Sequence, residues 1–214
     1  MKLFYVNGSP NCRKVHAVLN HLGLQIDIEY LDFFDGDLAS AEFGEINPNR
    51  MVPVLVDGDL NLWESNAINQ YLADQVPGNT LFPRDQKSRA DIVRWLCWEL
   101  AHYNQALGTL SFETVAKPNF LGQEPNQPLV GWCIERLNLY APVLETHLQE
   151  RDYLVGDGLT LADYAVAHVE MFVDAVPFDW TDYPNITAYY QRMRDNPHWA
   201  NTAVKPEVMG RRPF

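Results

Sequence analysis

The sequence contains few cysteines and no long apolar runs. Its 214 residues include three cysteines, Cys12, Cys97 and Cys133, which form no metal-like cluster and no even-numbered disulfide framework. Sparse cysteine of this kind is typical of a reducing compartment. No window approaches the roughly 20 apolar residues that span a bilayer, and the N-terminal apolar run stops at Asn7-Gly8, too early for a signal peptide. We therefore expect a soluble, cytoplasmic protein without a bound metal.

Positive charge is also scarce. Lys and Arg number 16 against 28 Asp and Glu, which gives a formal net charge of −12. Net negative charge repels nucleic-acid phosphates and anionic lipid headgroups, so the composition argues against both as partners. The remaining composition is that of an ordinary globular protein, and the chain is long enough for one large or two modest domains.

The first third of the chain alternates strand and helix patterns. Ser9 is suited to cap the first helix and Gly23 to end it, while Asp57-Gly58 is a strong hairpin turn signal. The order is β-α-β, a polar irregular connector at residues 32–49, then β-β-α. These elements are expected at residues 2–6, 9–22, 25–31, 52–56, 60–63 and 65–72.

The rest of the chain has a different pattern, without a strand series. Prolines and a glycine mark a linker at residues 78–87. Helical spacing then recurs in four segments, at residues 89–115, 129–148, 160–173 and 186–193. The sequence predicts an α/β plus all-α protein: a domain at residues 1–77 with a mixed four-stranded sheet, and an all-helical domain at residues 88–214.

The tetrapeptide Ser9-Pro10-Asn11-Cys12 lies where the first strand gives way to the first helix. One interpretation is structural, with Ser as the helix cap and Pro at the first helical position. The other is a Cys-x-x-Cys redox motif whose first cysteine has become Ser9. Because a helix N-terminus favours an anion, Ser9 would then hydrogen-bond a thiolate and Asn11 would be a second neutral donor. Cys12 would be a buried packing residue.

Two further groups of residues allow a structural and a functional interpretation. Pro53 opens a strand, where proline lies at an edge or at the first position. A cis peptide before Pro53 would instead present the backbone of Val52 to an extended peptide. Glu64 and Ser65 stand at the start of a helix, either as a capping pair or as a site for an ammonium and a carboxylate together.

The run NPNRMVPVLVDGDLNLWESNAINQYL, residues 47–72, resembles the glutathione-binding half of cytosolic glutathione transferases. It has that family's proline-initiated strand, hairpin, Glu-Ser pair and A-I-x-x-Y-L helix, and the resemblance covers essentially the whole chain. Thr160 and Asp163 are similar to the family's capping box in the helical domain, whose role is folding. The resemblance implies a thioredoxin-like first domain and a homodimeric, cytoplasmic detoxification enzyme of bacterial type with a serine/asparagine active site.

Position by position, the resemblance also implies roles for single residues. Ser9 matches the serine that hydrogen-bonds the glutathione sulfur, and Asn11 matches an asparagine of a subgroup with disulfide-reductase activity. Val52 matches the residue whose backbone pairs with the cysteinyl part of glutathione, and Pro53 the cis-proline. The remaining contacts to glutathione are implied at Arg50, Met51, Glu64 and Ser65.

Aromatic residues on the long helix after the linker are candidates for a second, apolar pocket, although aromatic residues at such positions are more often part of the core. They are Trp98, His102, Tyr103 and Phe112. The leading prediction is a glutathione S-transferase whose glutathione thiolate attacks a small apolar electrophile. The alternatives are glutathione-dependent disulfide reduction and a non-catalytic binding or regulatory protein that keeps this fold.

Overall fold

The computed structural model describes residues 1–213 and consists of two compact units. Unit 1 is formed by Met1–Asn79 together with the described residues from Asp195 onwards, and unit 2 by Thr80–Arg194. The C-terminal segment thus groups with unit 1, whereas the sequence predicts residues 88–214 as one helical domain. The contacts of this segment with the first helix, described below, explain why it groups with unit 1.

Unit 1 contains a mixed four-stranded sheet, as the sequence predicted. Its strands are Lys2–Tyr5 (β1), Asp27–Tyr30 (β2), Val54–Asp57 (β3) and Leu60–Trp63 (β4), in the order β2-β1-β3-β4. β1 pairs in parallel with β2 and antiparallel with β3, and β3 pairs antiparallel with β4. The sheet and its flanking helices form the expected thioredoxin-like arrangement.

The β3–β4 hairpin confirms the turn signal in the sequence. Asp57 pairs with Leu60, so Gly58 and Asp59 are the two residues of the turn. Gly58 has φ 60°, a conformation that L-residues with a side chain rarely adopt, and glycine reaches it without steric cost.

The α-helices of both units are listed here in chain order. They are Pro10–Leu22 (α1), Ala41–Ile46 (α2), Ser65–Asp74 (α3), Gln86–Trp98 (α4), Asn104–Ser111 (α5), Gln127–Leu148 (α6), Leu161–Val166 (α7), Pro184–Asp195 (α8) and Pro197–Ala200 (α9). No helix in the described part of the chain has the length and apolar character needed to cross a membrane.

The first helix follows the sequence signals closely, whereas α2 was missed. Ser9 caps α1 and Gly23, with φ 66°, ends it. The connector at residues 32–49, predicted to be irregular, contains α2 and a short 3-10 turn at Asp37–Ala39. Phe43 is the buried side chain of α2. A six-residue helix with one buried residue shows no helical periodicity, which explains the miss.

In unit 2 the helical conformation extends further than predicted. α4 and α5 are joined by a π-helical segment at Glu99–Tyr103, and a second one at Phe112–Leu121 continues α5. The resulting helical stretch spans residues 86–121 rather than 89–115. In contrast, α7 is shorter than the predicted helix at residues 160–173, and turns follow it. α5 packs against α6, and α4 packs against α7.

The predicted capping box stabilises the start of α7. The buried carboxylate of Asp163 accepts hydrogen bonds from the Thr160 backbone N–H at 2.8 Å and the Thr160 hydroxyl at 3.0 Å. Its other oxygen accepts from the Leu154 backbone N–H at 2.9 Å. Asp163 thus connects the preceding loop to the helix, which agrees with a role in folding.

The C-terminal segment is attached to unit 1 through α1. The guanidinium of Arg13 lies over the Trp199 ring at 4.2 Å, and its Nε donates to the Thr202 hydroxyl at 3.0 Å. The rings of His21 and His198 stack at 4.6 Å. Because Trp199 is fully buried, α9 forms part of the packing of unit 1.

Candidate active site

Ser9 lies at the N-terminus of α1, directly after the loop that follows β1. Its hydroxyl oxygen accepts a hydrogen bond from the Cys12 N–H at 3.3 Å, which satisfies one of the amides left without a partner at a helix start. A serine hydroxyl has one donor as well as two acceptor positions. Capping therefore does not consume the Ser9 donor, and the structural and functional interpretations of this residue are compatible.

Cys12 is a buried thiol of the core. It packs with residues of β1 and α3, and its Sγ accepts from the Val6 N–H at 3.5 Å. Burial raises the pKa of the Cys12 thiol to about 12, against the opposing effects of hydrogen bonds from Ser9 and Val6. Cys12 is thus protonated at physiological pH, as expected for the inner position of the motif.

Asn11 and Ser65 are brought together from the starts of two helices, α1 and α3. The Ser65 hydroxyl donates to the Asn11 Oδ1 atom at 3.0 Å. This contact leaves the amide NH₂ of Asn11 as a donor and the backbone N–H of Ser65 at the start of α3. Two predicted site residues, 54 positions apart, are therefore neighbours.

Glu64 has an unusual backbone conformation immediately before α3. Its φ is 72° and its ψ is 108°, a backbone conformation that residues other than glycine rarely adopt. Such a conformation costs on the order of 1–3 kcal/mol and is found mainly at functional sites. Its carbonyl accepts from Ala67 and Ile68, while its side chain is exposed.

The residues around Pro53 precede the paired part of β3. The Val52–Pro53 peptide is cis, as the resemblance implied. Val52 comes before Val54, the first residue of β3, and packs partly against the core cluster that contains Cys12. Met51 is 67% exposed, and its carbonyl accepts from the Asn47 side chain at 2.8 Å.

Arg50 is exposed and held by the connector that contains α2. One guanidinium nitrogen donates to the Ser40 carbonyl at 2.6 Å and to the Leu38 carbonyl at 3.3 Å. A guanidinium has five N–H donors, so this anchoring leaves several of them for a ligand carboxylate.

Lys14 is a buried charged residue next to the site. The sequence pattern did not predict a role for it. It lies on α1, is fully buried, and donates from Nζ to the Asn66 Oδ1 atom at 2.7 Å. Asn66 directly follows Ser65, so this contact links α1 to the start of α3. A single lysine within a helix is usually solvated, and nothing local in the sequence distinguishes this one.

Both halves of the chain match models of one family. Residues 8–75 match the glutathione S-transferase N-terminal domain, and residues 110–197 match the glutathione S-transferase C-terminal domain. Glutathione S-transferase 3 of Zea mays is 36% identical over 179 residues, which cover 83% of this chain and 80% of the relative. The chain belongs to the glutathione S-transferase family.

Similar solved structures support the assignment of this chain to the glutathione S-transferase family. Glutathione S-transferase-I bound with lactoylglutathione matches with a TM-score of 0.83 and 29% identity, over 94% of this chain and 97% of that one. Ure2p in complex with glutathione matches with a TM-score of 0.83 and 27% identity, over the same shares of the two chains. The family and the fold together support glutathione transferase activity and glutathione binding.

In unit 2 of the transferase, three of the four predicted pocket residues form or adjoin an aromatic cluster. Trp98 stacks on Tyr103 at 5.2 Å, and the His102 ring lies 5.1 Å from Tyr140. Tyr103 is fully buried and shares a 2.8 Å hydrogen bond with the Tyr190 hydroxyl. Trp98 is half-buried and His102 is exposed, whereas Phe112, at 48% exposure, lies at the start of the second π-helical segment.

Proposed function

We propose that this transferase binds glutathione as a thiolate beside Ser9 and transfers it to a small apolar electrophile. The observation that carries the proposal is the position of Ser9, which caps a helix of 13 residues through its hydroxyl oxygen and so does not use its hydroxyl donor for the cap. The positive end of the helix dipole and a hydroxyl donor then act on the same anion.

The hydrogen bond from Ser9 and the helix dipole together provide enough free energy to ionise the glutathione thiol at neutral pH. A thiol with a pKa of about 8.5 is only a few per cent ionised at pH 7. Lowering that pKa by about two units takes about 2.7 kcal/mol. A hydrogen bond to an anion contributes about 1.5–3 kcal/mol, and a helix N-terminus about 0.3–1 kcal/mol. No general base is therefore required.

Without substrate, the Ser9 hydroxyl donates to the sulfur of the neutral Cys12 side chain. A hydrogen bond to a charged acceptor is roughly twice as strong as one between neutral groups. We expect the hydroxyl to turn from Cys12 to the glutathione sulfur when the thiolate is bound. The neutral Cys12 side chain serves as the acceptor for the Ser9 hydroxyl when no substrate is bound.

The remainder of glutathione is proposed to bind to the other residues of unit 1. Glu64 and the backbone N–H of Ser65 would hold the γ-glutamyl group, since one offers a carboxylate and the other a helix N-terminus. The backbone of Val52, outside the ladder of β3, would pair with the cysteinyl part, with Met51 and Pro53 beside it. Arg50 would bind the glycine carboxylate through guanidinium donors that the connector does not use.

The electrophile is proposed to contact aromatic side chains of unit 2. Trp98, His102 and Phe112 expose ring surface, which suits an apolar co-substrate. Tyr103 would fix the orientation of the Trp98 ring, since the two rings are stacked and Tyr103 is buried. Holding the thiolate beside the electrophile adds the entropic benefit of proximity.

Disulfide reduction remains a second candidate function because of Asn11. Its NH₂ group lies at the first turn of α1, two residues from Ser9, while its oxygen is bonded to Ser65. A neutral donor there would stabilise a thiolate leaving from a mixed disulfide as well as one attacking a carbon.

Three assays with the same enzyme preparation separate these functions. A transferase couples glutathione to a nitroaromatic halide, and a reductase reduces hydroxyethyl disulfide with glutathione. Glutathione binding without either reaction would favour a non-catalytic binding protein and contradict the proposal. Glutathione transfer as the faster reaction is the expected result.

The cellular setting belongs to the same proposal. The sparse cysteines and the net charge of −12 suit a cytoplasmic enzyme without nucleic-acid or membrane partners. We propose a homodimer active in detoxification, as the family resemblance implies. Sedimentation of the purified enzyme tests the dimer directly.

A further inference from the structure

A short segment near the C-terminus, Met209–Arg212, lies against the loop that leads to Ser9. The Gly210 N–H donates to the Asn7 carbonyl at 2.7 Å, and the Asn7 side-chain amide donates to the Arg211 carbonyl at 2.7 Å. Both bonds hold the segment to a residue two positions before Ser9. Asn7 is itself buried, which makes it a fixed anchor.

A second loop holds the same segment from the end of β2. The Phe33 N–H donates to the Gly210 carbonyl at 2.8 Å. Gly210 has φ 76°, and a Cβ there would lie 2.6 Å from the Phe34 ring, so the segment approaches this loop as closely as only glycine allows. The Arg211 guanidinium lies over the same ring at 4.9 Å.

Two ion pairs accompany these backbone contacts. Arg211 lies 3.9 Å from Asp32, and Arg212 pairs with Asp37. Both arginine side chains are more than half exposed, whereas Asp32 is buried and Asp37 is partly buried. The segment is therefore held by backbone hydrogen bonds, by these ion pairs and by the close approach of Gly210 to the Phe34 ring.

The Met209 side chain lies against Gly8, the residue directly before Ser9. A Cβ at Gly8 would collide with the Met209 side chain, so the absence of a side chain at Gly8 makes room for it. Consecutive Cα atoms are 3.8 Å apart, which places the Met209 Cγ atom within about 8 Å of the Ser9 Cα. Met209 is partly exposed, and its thioether is apolar, polarizable and adaptable in shape.

We propose that Met209 is a specificity-determining residue, which forms an apolar wall beside the thiolate at Ser9 and limits the size of the electrophile. The inference rests on the proposed function, because it requires the thiolate to be bound at Ser9. It concerns only the contacts that unit 1 makes with the electrophile. Met209 contacts the co-substrate and not glutathione.

The test compares Met209→Ala with the unchanged enzyme on two electrophiles that share a reacting group and differ in size, methyl and phenethyl isothiocyanate. Removal of the side chain opens the wall, so the ratio of kcat/KM for the large over the small substrate is expected to rise about tenfold. The KM for glutathione and the thiolate absorption of bound glutathione are expected to stay unchanged. An unchanged substrate ratio would overturn the inference.

Three further variants make the result specific to the shape of this side chain. Met209→Phe enlarges the wall and should move the ratio in the opposite direction, which also provides a test if Met209→Ala does not fold. Met209→Leu should keep the ratio close to that of the unchanged enzyme. Glu207→Ala, at an exposed position two residues before Met209, is the matched control and should leave the ratio unaltered.

Failure of this inference and failure of the proposed function give different results. If the unchanged enzyme forms the thiolate band and the ratio does not respond to Met209, only the role of Met209 is contradicted. If the unchanged enzyme binds glutathione without a thiolate band, the proposed function fails, and the role of Met209 fails with it.

Discussion

The Ser65 hydroxyl donates a 3.0 Å hydrogen bond to Asn11 Oδ1 and so joins the first residue of α3 to the first turn of α1. In our account these two helix starts hold adjacent parts of one substrate, with the thiolate of the cysteinyl part beside α1 and the γ-glutamyl group beside α3. The hydrogen bond then fixes the separation of the two subsites. Lys14 and Asn66 form a second, buried link between the same helices.

A double-mutant cycle measures this coupling. We expect Asn11→Ala and Ser65→Ala each to weaken glutathione binding, with a coupling energy of about 0.5–1.5 kcal/mol, because each variant removes the same hydrogen bond. Calorimetric titration of glutathione into the two single variants and the double variant gives the value. Additive losses would show that Asn11 and Ser65 act on glutathione independently.

Replacing Ser9 tests the source of the thiolate. Ser9→Ala is expected to raise the pKa of bound glutathione by roughly 1–2 units, the equivalent of one hydrogen bond to an anion. Turnover at neutral pH should fall correspondingly, with little change in the KM for glutathione, and should recover as the pH rises. The pH dependence of kcat measures this, and Ser9→Thr is the hydroxyl-retaining control. An unchanged profile would assign the role to Asn11 or to backbone donors.

Asp163 is expected to be important for stability rather than catalysis. Asp163→Asn replaces a carboxylate oxygen that accepts from Thr160 with an NH₂ donor, so two donors face each other in a buried place. We expect a loss of about 2–4 kcal/mol in the free energy of unfolding. Urea denaturation measures it, and Asp157→Asn, at an exposed position of the preceding loop, is the control. Equal midpoints for the two variants would contradict the prediction.

The same carboxyl predicts a pH dependence of stability. Burial raises the pKa of Asp163 from 3.8 to about 6, so the folded state holds more protons than the unfolded state between these values. Its contribution to stability therefore decreases as the pH rises from about 4 to about 6 and is constant above that window. Denaturation at several pH values should show this decrease in the free energy of unfolding for the unchanged protein but not for Asp163→Asn.

The three cysteines should differ sharply in reactivity. Cys97 is exposed, whereas Cys12 and Cys133 are fully buried and burial raises the pKa of both. A thiol reagent near pH 8 is expected to modify one cysteine in the folded protein and three in denaturant. Cys97→Ser should abolish the reaction of the folded protein. Rapid modification of Cys12 would contradict its assignment as a core residue.

Local signals in the sequence predicted those parts of the fold and of the site that depend on local chemistry. Ser9 with Pro10 identified the start of α1, Asp57-Gly58 identified the hairpin, and Thr160 with Asp163 identified the capping box. In each case a side chain satisfies a backbone requirement a few residues away, so the signal is contained in a short window.

Contacts between distant segments were not predictable in this way. The return of the C-terminal segment to unit 1 depends on pairs such as Arg13 with Thr202 and Asn7 with Arg211, which are 189 and 204 positions apart. Neither member of such a pair has a distinctive local pattern. The helix α2 was missed for the opposite reason, since it is local but too short to show a period.

The most direct test of the account is ultraviolet difference spectroscopy of the enzyme as glutathione is titrated in near pH 7. The account predicts a saturable thiolate absorption band, with an apparent pKa for the bound thiol well below that of free glutathione, and its loss at the same pH in Ser9→Ala. Saturable binding of glutathione without a thiolate band would contradict the claim that the N-terminus of α1 and Ser9 activate the thiol.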